Sequence, residues 1–230
     1  MRKLSVFCFI LAVVAFASSC STNPGKVNTG VPSQPLIPLQ TGYQWIYVDT
    51  LFSTTTAGAV DTVYADTLTV NSNELEFGSS NGNVTFYGVT ESDTGGIFGV
   101  GNYIGLDPSN TAIYEYDTAA VYGGQPYVYF ETASADGTFL GQGSQTDPNN
   151  PSCTDALNQY GYITPTTIAG KSCLKNVIIA TNCSGQTVEQ DIIYIDPGIG
   201  LVRFEDWTLN SAGTSLVLDF SQTLVSDNLN

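Results

Sequence analysis

Turn-forming residues recur about every 8–15 positions along this 230-residue chain, a spacing typical of antiparallel β proteins. Short apolar stretches alternate with the turns, and no long segment has the 3.6-residue period of a helix. The Asn81-Gly82 pair is a typical hairpin turn. The pattern predicts a mainly β fold, a single antiparallel open barrel or sandwich with little helix. The predicted strands are residues 42–52, 60–70, 75–77, 84–87, 113–116, 127–131, 177–180, 191–195, 199–209 and 214–224.

One segment departs from this pattern. Residues 153–160 follow Pro151, a residue suited to the first turn of a helix, and they predict a short helix. The chain shows no repeat of fixed period and no second domain boundary, so residues 36–230 are predicted to form one β domain. Residues 21–35 are polar and rich in proline and glycine, which predicts a flexible tether before that domain.

The charge balance excludes several functions. The chain has 6 Lys and Arg, 21 Asp and Glu and no His, for a formal net charge of −15. Nucleic-acid binding needs a basic surface, which this composition does not provide. Without histidine, Ser-His-Asp or Cys-His catalysis and HExxH zinc sites are impossible. The apolar content of 42% is high enough for a folded core.

The N-terminus has the features of an export signal. A basic start at Arg2 and Lys3 precedes residues 4–16, an apolar run interrupted only by Ser5. This run is shorter than the roughly 20 residues that a transmembrane helix needs and fits the apolar region of a signal peptide. The sequence Ala-Ser-Ser-Cys that ends at Cys20 resembles the lipobox of bacterial lipoproteins. This resemblance implies cleavage before Cys20 and acylation of that residue.

The lipobox resemblance defines three segments: a signal peptide at 1–19, the lipidated Cys20 with its tether at 20–35, and the β domain at 36–230. Ser21 after the cysteine implies outer-membrane sorting, by similarity to enteric lipoproteins, with the domain on the periplasmic or the cell-surface side. The alternative is an ordinary secreted protein cleaved near Ala17. Cleavage before Cys20 leaves four cations against 21 acids, a net charge of −17. The acyl chains would then anchor the protein to the membrane, although the anionic lipids repel its acidic surface.

Three cysteines remain for the folded domain once Cys8 is removed and Cys20 is acylated: Cys153, Cys173 and Cys183. An odd number permits one disulfide and leaves one thiol. Cys183 lies in a predicted turn about ten residues after Cys173, so these two would not face each other in a simple hairpin. We therefore predict a bridge from Cys153 to one of them, with three reduced thiols as the alternative. The spacings match no compact zinc motif.

Aromatic residues repeat at two-residue spacing in two predicted strands. Tyr43, Trp45 and Tyr47 share one strand face, and so do Tyr127 and Tyr129. Core packing is the favoured interpretation, because large aromatic side chains are usually buried. The alternative is a set of ligand-facing aromatics that bind a glycan or a lipid.

Acidic residues also occur two apart, as in Glu74 with Glu76 and Glu115 with Asp117. Paired carboxylates are the catalytic groups of glycoside hydrolases. A solvated strand face is the favoured interpretation for both pairs, and no catalytic residue is assigned.

The loop from Asp147 to Asp155 places several oxygen ligands close together, which suits Ca²⁺. It lacks the glycine and the terminal glutamate of an EF-hand, so an ordinary loop is favoured. No metal site and no cofactor is assigned.

Three further segments carry a family resemblance. Residues 38–47 read PLQTGYQWIY, residues 196–205 read DPGIGLVRFE, and residues 169–177 between them read AGKSCLKNV. These motifs resemble uncharacterised envelope lipoproteins that are common in Bacteroidota. The resemblance implies an open antiparallel β-barrel, related in outline to lipid-binding half-barrels, and it implies no particular activity.

We therefore expect a lipid-anchored, non-catalytic envelope protein that binds a hydrophobic ligand, a glycan or an envelope partner. A carboxylate-dependent glycan hydrolase and a structural or adhesive surface subunit are the alternatives. A deep apolar cavity would favour carriage of a ligand, and a cleft with paired carboxylates would favour the hydrolase. An exposed sheet edge would favour assembly with a partner.

Overall fold

A computed structural model describes residues 32–79, 82–92, 102–117, 126–146 and 152–229. These residues contain twelve β-strands and no helix, so none of them forms a helix able to cross a membrane. The strands are β1 (Gln44–Phe52), β2 (Val60–Ser79), β3 (Gly82–Glu91), β4 (Asn102–Leu106), β5 (Ala112–Asp117), β6 (Tyr127–Glu131), β7 (Thr138–Thr146), β8 (Thr154–Ile168), β9 (Lys171–Thr181), β10 (Thr187–Asp196), β11 (Gly200–Leu209) and β12 (Leu216–Asp227).

The described strands form one antiparallel sheet that curls into a nearly closed barrel. Their order is β6-β5-β4-β3-β2-β1-β12-β11-β10-β9-β8-β7, so the first and last strands pair with each other. One seam stays open between β6 and β7, which follow each other in the chain but are not hydrogen-bonded neighbours. The predicted mainly β class and the open barrel are confirmed.

Side chains from the far side of the seam bind the edge of β6. The Asn176 side chain on β9 accepts a hydrogen bond from the Glu131 N–H at 3.0 Å and donates one to the Glu131 carbonyl at 3.0 Å. Gln159 on β8 donates to the Asn176 Oδ1 at 2.9 Å and to the Tyr129 carbonyl at 3.4 Å. Asn176 is 1% exposed. Its amide thus takes the place of a neighbouring strand for the edge residue Glu131.

The barrel interior is polarised along its axis. Along β1 the inward residues change from the apolar Trp45 to the acidic Asp49. Along the antiparallel β12 they change from the polar Gln222 to the apolar Leu224. On β10 and β11, Asp191 and Asp206 likewise occupy one end, while the opposite ends are apolar. Because neighbouring strands are antiparallel, the apolar residues collect at one end and the acidic residues at the other. We call these the apolar end and the acidic end.

The chain preceding β1 closes the apolar end. Leu36 and Ile37 are fully buried within the main core, and we call residues 34–39 the plug. Asn110, in the left-handed conformation at φ 58°, accepts a hydrogen bond from the Leu36 N–H at 2.8 Å and donates to the Gln34 carbonyl at 2.7 Å. The Ile37 side chain lies where a Cβ on Gly200 would be, at 2.9 Å, so only glycine fits at that position.

Two details of the predicted secondary structure are wrong. Residues 154–168 form strand β8 rather than a short helix, because β7 and β9 pair with this segment on both sides. Pro165 is tolerated in this strand since it lies where the pairing with β9 shifts register. The sequence also gave no indication of β4 (Asn102–Leu106) or β7 (Thr138–Thr146). The first is short, and the second is rich in Gly, Gln and Ser, which have weak strand preference.

Candidate functional site

The two longest motifs of the family resemblance contact each other beside the plug. The Trp45 indole N–H donates to the Ile199 carbonyl at 2.6 Å, and the Tyr47 hydroxyl donates to the Leu201 carbonyl at 3.3 Å. In the turn between β10 and β11, Gly198 has φ 93° and the Ile199 N–H donates a hydrogen bond to the Asp196 carbonyl. This is the geometry of a type II turn. Both motifs therefore have a structural role, because they hold the β10–β11 turn against β1.

An open pocket lies next to the plug at the apolar end, with a volume of about 550 Å³. The plug forms one wall, and inward residues of β3 and the β4–β5 connection form the other. The lining residues are Pro35, Ile37, Pro38, Leu39, Gln40, Tyr43, Asn83, Thr85, Tyr87, Leu106 and Pro108. None of these lining residues carries a charge, and the nearby Glu74 and Glu76 are exposed residues directly opposite Tyr87 and Thr85 in the β2–β3 ladder. The pocket therefore suits a neutral ligand rather than an anionic one.

Half-buried tyrosines and neutral polar groups share the pocket wall. Tyr43 and Tyr87 supply aromatic rings, while Gln40, Asn83 and Thr85 supply hydrogen-bonding amides and a hydroxyl. This combination matches sugars, which present flat C–H faces and many hydroxyl groups. Tyr87 was missed as a pocket residue at the sequence level because alternation in β3 marks a strand face but not a pocket.

The other predicted ligand-facing aromatics are not in the pocket lining. Trp45 and Tyr47 are both 0% exposed and belong to the core, which is the interpretation that the sequence favoured. Tyr129 also packs in this core at 8% exposed, and Tyr127 is half-buried on β6. Burial raises the pKa of both Tyr47 and Tyr129 well above that of a free tyrosine, with nearby carboxylates adding to the effect.

The acidic end and the middle of the barrel hold an unusual number of buried carboxylates. Those that are at most 4% exposed and lie within strands are Asp49, Asp66, Glu91, Glu115, Asp155 and Asp191. The expected solvated face is wrong for Glu115, which is 3% exposed and accepts a hydrogen bond from Asn102. It is buried because it follows Ile113 by two residues on the inward face of β5.

Three of the acidic side chains converge on the inner face of β10 and β11. The carboxylate oxygens of Glu189, Asp191 and Asp206 lie within 4.8 Å of one another. Asp191 is directly opposite Asp206 in the β10–β11 ladder. Burial raises the pKa of Asp191 well above its usual value, and the charges of Asp206 and Glu189 raise it further. Burial likewise raises the pKa of Asp206, with the charges of Glu189 and Asp219 adding to the effect.

The remaining acidic candidates do not form a site within the described residues. Glu74 and Glu76 are exposed, as expected for a solvated face. The Asp117 side chain and residues 147–151 lie outside the described part of the structure. In the loop from Asp147 to Asp155, for which calcium was the less favoured interpretation, Asp155 belongs to β8, and its side chain is 2% exposed.

One disulfide joins Cys153, just before β8, to Cys183 in the β9–β10 turn, with a Cα–Cα distance of 5.8 Å. The prediction that Cys153 bridges one of the other two cysteines is confirmed. Cys173 is a free, fully buried thiol, and its pKa is raised to about 11 by burial and then by the nearby Asp196. The Cys173 thiol is therefore unreactive and has a structural role.

Two solved structures are similar to this chain. One, from Bacteroides fragilis, carries the description "putative exported protein with YmcC-like fold". It is 14% identical with a TM-score of 0.50, and the match covers 85% of this chain and 99% of that chain. The similarity shows the fold alone. The second, a "putative lipoprotein" from Parabacteroides distasonis, is 14% identical with a TM-score of 0.44 and the same coverage. No family model and no curated protein matches the sequence.

Proposed function

We propose that the protein is a lipid-anchored, non-catalytic component of the bacterial outer membrane that binds a neutral glycan in the pocket beside the plug. The observation that carries the binding function is the composition of that pocket, with two tyrosine rings and three neutral hydrogen-bonding side chains. Such a wall can stack on a sugar ring and satisfy its hydroxyl groups without any charged residue.

The anchor is supported by the sequence, and the position of Pro32 indicates which end of the barrel the tether would reach. Pro32 lies near the apolar end, since its carbonyl is 3.5 Å from the Asn110 amide nitrogen. It follows the predicted lipidated Cys20 by only 12 residues, which span at most about 40 Å. The pocket would therefore stay close to the membrane. The description of the similar Bacteroides protein as exported agrees with an envelope location.

A glycan fits better than a long hydrophobic ligand. Large side chains fill the apolar half of the barrel, among them Trp45, Tyr47 and Phe130, each at 0% exposed. The plug adds Leu36 and Ile37 to the same core. An acyl chain would have to displace these close-packed side chains, whereas the open pocket accepts a compact ligand as it is.

A carboxylate hydrolase is less well supported. Glu74 and Glu76 lie opposite the pocket residues Tyr87 and Thr85, but both are exposed and project side by side from one strand, so they do not flank a bond from two sides. Glu189, Asp191 and Asp206 converge at the acidic end, whereas the aromatic pocket lies at the apolar end. Hydrolysis needs a carboxylic acid and a carboxylate on either side of the scissile bond. Assembly through an open edge is also less well supported at β6, where Asn176 already binds the backbone of Glu131.

Saturation-transfer NMR with the mature Cys20→Ser protein against a panel of neutral envelope oligosaccharides tests the binding function. We expect transfer to the ring protons of at least one saccharide, and loss of that transfer in Tyr43→Ala and Tyr87→Ala. Phe139→Ala is the matched control, because Phe139 is an exposed aromatic outside the pocket. Absence of transfer from every saccharide, or unchanged transfer in both tyrosine variants, would contradict the proposal.

A further inference from the structure

The acidic end holds a carboxylate cluster that the proposed function does not use. Asp191 on β10 and Asp206 on β11 are directly paired, and Glu189 precedes Asp191 by two residues on the same face. The ligand oxygens of the three residues lie within 4.8 Å of one another. Like charges placed directly opposite each other in a sheet are destabilising. The arrangement therefore needs a bound proton or a bound cation to balance its charge.

Some carboxylate oxygens of these residues lack a hydrogen-bond partner among the described residues. This observation does not depend on the distances within the cluster. Asp191 is only 3% exposed, and its Oδ1 is buried with no hydrogen-bond partner among the described residues. The Oδ1 of Asp206 is in the same situation. A buried carboxylate oxygen without a partner costs several kcal/mol, so such groups are normally paired or coordinate a metal.

The positive side chains of the described part of the chain are engaged elsewhere. Arg203 pairs with Glu205 at 2.6 Å, and Lys175 lies over the ring of Tyr162, 4.3 Å from its centroid. Lys171 lies beside Asp196, near the β8–β9 turn at the apolar end. Gln145 on β7 donates a hydrogen bond to the Glu189 Oε2 at 3.4 Å, which is a neutral contact. The other charges that act on the cluster are also negative, from Asp155 on Glu189 and from Asp219 on Asp206.

We propose that Glu189, Asp191 and Asp206 bind a calcium ion inside the acidic end of the barrel. All ligands are oxygens, which favours a hard cation such as Ca²⁺ over the nitrogen- and sulfur-preferring metals. Oxygens bound to Ca²⁺ at about 2.3–2.6 Å can be up to about 5 Å apart, and the observed separation falls within that limit. The smaller Mg²⁺ would need the ligands drawn closer together. This site is separate from the glycan pocket and does not depend on it.

Calorimetric titration of the chelator-treated, mature Cys20→Ser protein with CaCl₂ alone tests the site. We expect one saturable binding event with a Kd of about 10⁻⁴–10⁻³ M, the range of extracellular calcium modules. We also expect calcium to raise the melting temperature. Mg²⁺ should bind more weakly. No heat and no thermal shift at about 5 mM Ca²⁺, or tighter binding of Mg²⁺ than of Ca²⁺, would overturn the proposal.

The double variant Asp191→Asn with Asp206→Asn locates the ion. It keeps the shape of both side chains and removes their repulsion, so we expect it to fold and to be at least as stable as the calcium-free parent. Its calcium response should be lost. The control is Glu74→Gln with Glu76→Gln, which removes the same charge from exposed positions and should keep the response. A calcium response that persists in the Asp191/Asp206 variant would overturn the assignment.

Discussion

Two buried aspartates differ in whether hydrogen bonds compensate for the hydration that each carboxylate loses on burial. Asp107, in the β4–β5 connection, is 4% exposed. Its Oδ1 accepts the N–H groups of Thr111 and Ala112 at 2.6 and 2.7 Å, and its Oδ2 accepts the Ser109 N–H at 3.2 Å. Asp191 has comparable burial, but its Oδ1 has no hydrogen-bond partner in the part of the chain that the structure describes. Burial alone would raise the pKa of Asp107, but hydrogen bonds from Ser109, Ala112 and Thr111 outweigh it and lower the pKa.

Replacing Asp107 with Asn should therefore destabilise the protein in a pH-dependent way. At pH 7 we expect a loss of about 2 kcal/mol, because an ionised acceptor of several backbone N–H groups is removed. The pKa is lowered in the folded state, so the stabilisation is present above the unfolded value near 4 and disappears as the pH falls through the folded value. Urea unfolding of parent and variant between pH 7 and pH 3 measures the difference.

Asp61→Asn is the control for this experiment, since it removes one negative charge from an exposed position. Its effect on the free energy of unfolding should stay within about 0.5 kcal/mol. A difference between parent and Asp107→Asn that does not shrink at low pH would show that the carboxylate charge is not what stabilises the turn.

At the scale of elements, the sequence predicted strands well and their contacts poorly. Alternation placed β1, β5, β6 and β11 closely, because these strands bury one face. It missed β7, whose glycines and polar residues take strand conformation only through pairing with β8. The seam contacts were also out of reach, because the Asn176–Glu131 pair joins residues 45 positions apart. The cluster of Glu189, Asp191 and Asp206 was missed for a similar reason, because the register of β10 and β11 alone brings Asp206 opposite Asp191.

The seam offers a test of how edge strand β6 is held. Asn176→Ala removes two hydrogen bonds to the Glu131 backbone and leaves a half-buried N–H and carbonyl without their partner. We expect a loss of about 2–3 kcal/mol in the free energy of unfolding. Amide hydrogen exchange at Glu131 should accelerate, whereas Gln142→Ala, at an exposed position on β7, should leave it unchanged. Unchanged exchange at Glu131 in Asn176→Ala would show that β6 is held by other contacts.

At the scale of the whole molecule, the two ends of the barrel differ in chemical character. The plug, the pocket beside it and Pro32 share the apolar end, whereas Asp191 and Asp206 lie at the acidic end. A tether from Cys20 would therefore place the apolar end toward the membrane. The net charge of −17 expected after cleavage repels anionic lipid surfaces, and the acidic end is best placed away from them. Attachment then depends on the acyl chains alone.

Replacing Cys20 with Ser should abolish this attachment. In cells fed an alkyne-tagged fatty acid, we expect the parent protein to be labelled and the Cys20→Ser protein to be unlabelled, because serine offers no thiol for acylation. Cys8→Ser is the matched control: it removes a cysteine from the predicted signal peptide, so the mature protein should be labelled like the parent. Membrane fractionation should retain the parent and release Cys20→Ser that has been processed. Labelling that persists without Cys20, or that disappears without Cys8, would contradict the predicted anchor. It would also contradict the expected orientation of the pocket toward the membrane.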